Sequence, residues 1–159
     1  MAEFHGQPNG AGRRIAVLAS RFNEDVVKKL VDGALEALVK HGVAFDDIDV
    51  VWVPGAWELP IAARWLLASE RYDGAVAVGA VIRGETAHFD YISTEASRGL
   101  ANASAELETP IGFGVLTCET DEQAEARAGG AHGNKGFDAA VATLEMVDLL
   151  NRLDPDDAG

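Results

Sequence analysis

Cysteine is almost missing from this chain. Cys118 is the single one among 159 residues, so no disulfide and no cysteine-based metal motif can be assembled within one chain, and a reducing compartment fits. Long apolar runs are missing too. The longest, Gly74 to Ile82, is far too short to span a bilayer, and Met1 to Gly12 lacks the apolar stretch of a secretory signal. A soluble, cytoplasmic protein with no membrane partner is expected. Positive charge is scarce: 13 Lys and Arg stand against 26 Asp and Glu, a formal net charge of −13. That excess repels a phosphate backbone and an anionic membrane, and no local block of cations offsets it, so nucleic acid is not an expected partner. An anionic small molecule would have to be held by a few positioned cations and backbone amides. The sequence holds no HExxH metal spacing, no GxGxxG or Walker loop and no GxSxG elbow.

What is present is ordinary globular composition, with 48% hydrophobic and 25% charged residues, at the length of one domain. The expected layout is a tail over 1–12, one α/β domain over 13–153 and a frayed acidic tail over 154–159. Ile15 to Ala19 reads as a buried strand. After it, apolar residues at Val26, Val27, Leu30, Val31, Ala34, Leu35, Leu38 and Val39 recur with the period of an amphipathic helix, with Asn23 as its N-cap and Lys40, His41 and Gly42 at its end. A second unit follows: a strand over Ile48 to Val53, a turn over Pro54 to Glu58, and a helix over Leu59 to Ser69 that tolerates Pro60 in its first turn. In the third, Gly74 to Ile82 is a strand, Arg83 to His88 a polar loop, and a helix runs to about Leu107. Ile111 to Leu116 is the next strand. Thr120 with Gln123 forms a capping-box pattern that opens a short helix toward Arg127, and the last helix spans about Gly136 to Leu150. Strands that are apolar throughout and alternate with helices predict a three-layer α/β/α sandwich on a mainly parallel four-stranded sheet, flavodoxin-like. Ligands of such sheets gather outside the carboxyl ends of the strands.

Two loops at those ends carry unusual residues. Ile82 to Asp90 combines Gly84, which lets backbone approach a ligand, the Thr86 hydroxyl, Glu85, and His88, whose imidazole can move protons. The plainer alternative is a turn in which His88 is an exposed polar residue or a capping partner. Pro54 to Pro60 sets Trp57 and Glu58 between two prolines, where Glu58 can accept hydrogen bonds from polyol hydroxyls, or can simply favour a helix start. Phe22 can stack on a flat heterocycle beside Asn23, or can seal a core edge. Arg127 lies just before and Lys135 within the glycine-rich segment Gly129 to Gly136, which marks a bend or an interface; a guanidinium suits phosphate, although surface solvation is the usual fate of such residues. His41 reads as a helix C-terminal residue, and His132 has no assigned task.

Taken together, Arg21-Phe22-Asn23, Pro54-Gly55-Ala56-Trp57-Glu58-Leu59-Pro60, Gly79 to Thr86, His88-Phe89, Gly112-Phe113-Gly114-Val115-Leu116-Thr117 and Gly133-Asn134-Lys135-Gly136 closely resemble the lumazine synthase family over about residues 14–150. The resemblance implies condensation of 5-amino-6-(D-ribitylamino)uracil with 3,4-dihydroxy-2-butanone 4-phosphate to 6,7-dimethyl-8-ribityllumazine, with no cofactor and no metal. It implies that His88 transfers protons, that Phe22 stacks on the pyrimidine, and that Asn23 with Ala56, Trp57 and Glu58 holds the ribityl chain. Ala80, Val81 and Ile82 would meet the heterocycle. Glu85, through its backbone amide, would join Thr86 and Arg127 at the phosphate, with Lys135 in second rank. Phe113 also matches a pocket residue, yet it begins its strand and so lies opposite the loops; a neighbouring subunit would have to supply it. The resemblance further implies a homo-oligomer, a pentamer or, from the Gly133 to Gly136 turn, a shell of sixty subunits, and raises a riboflavin synthase as a partner. Relatives with a lysine where this chain has Ala131 leave that position's role open. An archaeal-type riboflavin synthase and a non-catalytic flavin-binding or shell protein are the alternatives, disfavoured by the completeness of the motifs.

Overall fold

A computed structural model describes residues 1–156; the end of the acidic tail expected over 154–159 lies outside the described residues. Four parallel strands form the central sheet: β1 (Ile15–Ser20), β2 (Ile48–Val53), β3 (Gly74–Ile82) and β4 (Ile111–Cys118). Their spatial order is β2-β1-β3-β4. The connecting helices are α1 (Glu24–Lys40), α2 (Leu59–Ala68), α3 (His88–Glu106), α4 (Asp121–Arg127) and α5 (Lys135–Leu153). The three-layer α/β reading of the sequence holds. Among the described residues, no helix is long and apolar enough to cross a membrane.

Residues alternate between the two faces of a strand, and β1 is buried along its whole length. Ile15, Val17 and Ala19 join α1 and α5 in one core, with Leu30, Leu38 and Leu144. Ala16 and Leu18 join α2 and α3 in the other, with Leu59, Ala63 and Leu100. β2, at the sheet edge, is the partial exception to strands apolar throughout: Asp49 interrupts it, and Val50 and Trp52 remain partly exposed. An edge strand has a neighbour on one side only, so its outer face is covered less.

Three local expectations change. Asn23 precedes α1 but does not cap it. It lies in the left-handed region at φ 62°, where Asn is tolerated, and its Nδ2 donates instead to Ala80 O at 2.9 Å. The glycine-rich segment after α4 is a small antiparallel hairpin, β5 (Ala128–Gly130) with β6 (Gly133–Asn134). Gly129 and Gly133 supply its positive φ values of 104° and 77°. The helix α5 starts one residue earlier than expected, because Asn134 Oδ1 caps it by accepting from Gly136 N at 2.9 Å and Phe137 N at 3.1 Å. The capping box at α4 is present, with Gln123 N donating to Thr120 Oγ1 at 3.2 Å; the return bond reaches Glu119 N rather than Thr120 N. Part of the N-terminal segment is docked: Gln7 N donates to Asp148 Oδ2 at 2.8 Å and Gly10 N to His41 O at 2.8 Å.

Candidate active site

The chain order β1, β2, β3 in a sheet ordered 2-1-3-4 makes connections leave β1 in opposite directions, and a crevice opens where they part. The register deepens it. β1 pairs with β3 from Ile15↔Gly74 to Ala19↔Val78, whereas β3 pairs with β4 as far as Ile82↔Cys118. Residues 80–82 of β3 therefore extend past the end of β1 at Ser20, and among the described residues their backbone edge on that side has no strand partner. Past its own end, β1 turns toward β2 instead: Arg21 N donates to Val53 O at 2.8 Å and Phe22 N to Pro54 O at 3.2 Å. Phe22 is thereby set beside the β2 loop.

A cavity of about 590 Å³ fills this crevice. Phe22 and Pro54 to Glu58 form one wall, Ala80 to Ile82 the floor, and Gly84, Thr86, His88, Phe89 and Ile92 the other wall. Ala56, Trp57 and Glu58 stand on a single 3-10 turn that leads into α2. Apolar and aromatic faces dominate, with polar groups at few points, the usual make-up of a small-molecule site. Phe22 is 72% and Trp57 56% exposed, so two large apolar side chains stand at the mouth without a cover in one chain.

α3 begins at His88, so the cavity wall is a helix N-terminus, where unpaired backbone N–H groups and the helix dipole favour an anion. The His88 N–H contacts Thr86 Oγ1 at 3.4 Å, which leaves the threonine proton free to donate. Gly84 is not glycine for lack of room within the chain, because a Cβ there would meet no atom within 4 Å. The space beside it opens on the cavity.

Of the residues predicted for the site, Phe22, Ala56, Trp57, Glu58, Ala80, Val81, Ile82, Thr86 and His88 line this one cavity. Asn23 touches it through Ala80. Glu85, Arg127, Lys135 and Phe113 do not line it. Arg127 closes α4, donating from Nη1 to Gln123 O at 3.0 Å. It lies close enough to Cys118, at the carboxyl end of β4, for its charge to oppose the burial that pushes the thiol pKa up. Lys135 is paired with Asp138 at 3.8 Å. Phe113 pairs with Ala77 in the middle of β3 and opens on other hollows, among Met146, Leu150, Ser97 and Leu100. Pro54, Gly55, Phe89 and Ile92 were not among the predicted residues. Ile92 was legible in principle, since it stands one helical turn after His88 and so on the same face. A second hollow of about 600 Å³ lies between α1 and α4, but Asp121, Glu122 and Glu125 line it and its Lys29 is already paired with Glu125 at 2.5 Å. Among the described residues no group of three or more His, Cys, Asp or Glu stands together as a metal site.

The profile of the 6,7-dimethyl-8-ribityllumazine synthase family matches residues 12–151. A protein of Gemmatimonas aurantiaca named 6,7-dimethyl-8-ribityllumazine synthase is 64% identical over 155 residues, 98% of this chain and 94% of that protein. With the crevice and its lining already consistent with a small-molecule enzyme, the chain belongs to the lumazine synthase family, the transferases that form lumazine in riboflavin biosynthesis.

Proposed function

We propose that the chain condenses 5-amino-6-(D-ribitylamino)uracil with 3,4-dihydroxy-2-butanone 4-phosphate to 6,7-dimethyl-8-ribityllumazine, releasing phosphate and water. The observation that carries the reading is the overhang of β3: the backbone at 80–82, beyond the pairing with β1, lines the same cavity as Phe22, Thr86 and His88. A flat heterocycle with donors and acceptors along one edge can bond that backbone while its face stacks on Phe22. A ribityl chain can extend along Ala56 to Glu58, with Asn23 held nearby. The ketone phosphate goes to the other wall, where the α3 N-terminus and the Thr86 hydroxyl favour an anion. Arg127 then adds charge and Glu85 its backbone amide, with Lys135 in second rank.

The amine of the uracil forms a Schiff base with the ketone and expels one water, phosphate leaves by elimination, and the second amine closes the ring with loss of a second water. Each step moves a proton, and His88 stands within the cavity to carry it. Phe113 completes the pocket from a neighbouring subunit in a homo-oligomer, a pentamer or a sixty-subunit shell, which would also cover Phe22 and Trp57.

The test is turnover of both substrates, followed by lumazine absorbance and fluorescence with phosphate release in parallel. Equimolar products are expected, and His88→Ala should lower kcat about 10²- to 10⁴-fold, the range of general acid–base catalysis, without altering the fold, because His88 is exposed. Absence of lumazine from the folded wild-type protein would refute the reading. Mixed assemblies of Phe113→Ser and His88→Ala subunits should recover activity; no recovery in verified mixtures would refute the shared pocket.

A further inference from the structure

Arg83 leaves the end of β3 at the root of the loop that carries Gly84, Thr86 and His88, yet it is not among the residues that line the cavity. Its backbone N–H donates to Cys118 O at 2.9 Å. Its guanidinium faces three groups at once. Nη2 donates to Asp90 Oδ1 at 3.1 Å, Nε stands 2.7 Å from Glu119 Oε2, and Cζ lies 4.5 Å from the centroid of the Phe89 ring. Phe89 is itself part of the cavity wall, Asp90 is in the first turn of α3 after His88, and Glu119 stands on the loop after β4. One planar, permanently charged side chain thus joins the end of β3 and the first turn of α3, on either side of the 83–87 loop, to the loop after β4, in a geometry that an ammonium group cannot reproduce.

The electrostatic consequence is separate. In a chain of net charge −13, Asp90 and Glu119 are two carboxylates on the flank of the loop read above as the phosphate side. Arg83 is the cation between them.

We propose that Arg83 is a positioning residue for His88 and Thr86, and that it screens Asp90 and Glu119 from the phosphate-bearing substrate. The screening part rests on the substrate reading above; the positioning part does not. Arg83→Gln is expected to raise KM for the butanone phosphate about three- to tenfold at low salt, the scale of one or two half-exposed charge interactions. The rise should shrink near about 1 M salt, where the screening length is about 3 Å. KM for the uncharged uracil substrate should stay within twofold. Arg83→Lys keeps the charge and loses the fork and the stack, so KM should hold while kcat falls about tenfold, as for a small misplacement of catalytic groups. Adding Asp90→Asn and Glu119→Gln to Arg83→Gln should restore KM and not kcat. Equal rises in both KM values, or both constants within twofold of wild type in Arg83→Gln, would overturn the proposal. Amide hydrogen exchange supplies a readout without turnover: Arg83→Gln and Arg83→Lys should speed exchange over 84–90 and leave α1 unchanged, and unaltered protection there would overturn the positioning part. A wild-type protein that makes no lumazine would remove the substrate reading, and the exchange result would still decide whether Arg83 holds the loop.

Discussion

Gly33 and Asn134 should show a reversal of sign. Gly33 is buried in the interior of α1, where alanine is normally better than glycine by about 1 kcal/mol. Here a Cβ would overlap the Asn134 amide, with Nδ2 only 2.5 Å away. That amide makes three bonds: Oδ1 accepts from Gly136 N and Phe137 N, and Nδ2 donates to Lys29 O at 2.9 Å. A lost N-cap costs about 0.5–2 kcal/mol and a further hydrogen bond about 1 kcal/mol, so Asn134→Ala should destabilise by about 1.5–3 kcal/mol. Gly33→Ala displaces the same amide, forfeits about the same amount and recovers the helix gain, for a net loss of about 0.5–2 kcal/mol. In the Asn134→Ala background the methyl enters vacated space, and Gly33→Ala should now stabilise by about 1 kcal/mol, or about 2–4 °C in Tm for a domain of this size. Urea or thermal unfolding of the four proteins at one fixed protomer concentration closes the cycle. A double variant no more stable than Asn134→Ala alone, or losses that simply add, would refute the account.

Gly84→Ala should leave stability within about 0.5 kcal/mol, the usual range at a surface position, because among the described residues no atom lies within 4 Å of where its Cβ would stand. KM for the phosphate-bearing substrate should nevertheless rise, and an unchanged KM would remove the ligand from beside Gly84. Asp49 accepts from Tyr72 Oη at 2.7 Å and Arg14 Nη2 at 2.9 Å, and the bond from Tyr72, then that from Arg14, holds its carboxyl below the usual carboxylate range. A lowered folded pKa gives stability that is complete above the unfolded value near about 3.9 and is lost as pH falls through the folded one. Asp49→Asn should therefore flatten the acid limb of stability below about pH 4 in urea titrations; an identical limb would show the bonds to be energetically idle. Ser20 is fully buried at the end of β1, against Gly79, with its hydroxyl unpartnered among the described residues. Ser20→Ala should be neutral or stabilising by up to about 1 kcal/mol in the same unfolding assay, and a clear loss would reveal a bond the hydroxyl makes.

Strand and helix identities were decided locally. A nine-residue apolar run such as Gly74 to Ile82 has no polar face to expose, and the 3.6-residue stripe of α1 has one face to bury, so a parallel sheet between helix layers was written in the sequence. The loops after the first three strands were marked by rigid, polar or glycine-containing segments, and most of their predicted residues do surround one cavity. The outcome at Asn23 depended on tertiary contact: its local signal was a cap, and its amide is instead turned to the Ala80 carbonyl, which lies beyond the end of the pairing between β1 and β3. The same holds for the overhang of β3, since one strand's length says nothing of where its neighbours stop. Phe89 and Ile92 join the wall through the way α3 docks, and Arg83 acquires its three partners from α3 and from the loop after β4. Periodicity and turn chemistry act over a few residues and can be read along the chain. Register, overhang and the meeting of loops depend on distances between segments far apart in sequence, which packing alone decides.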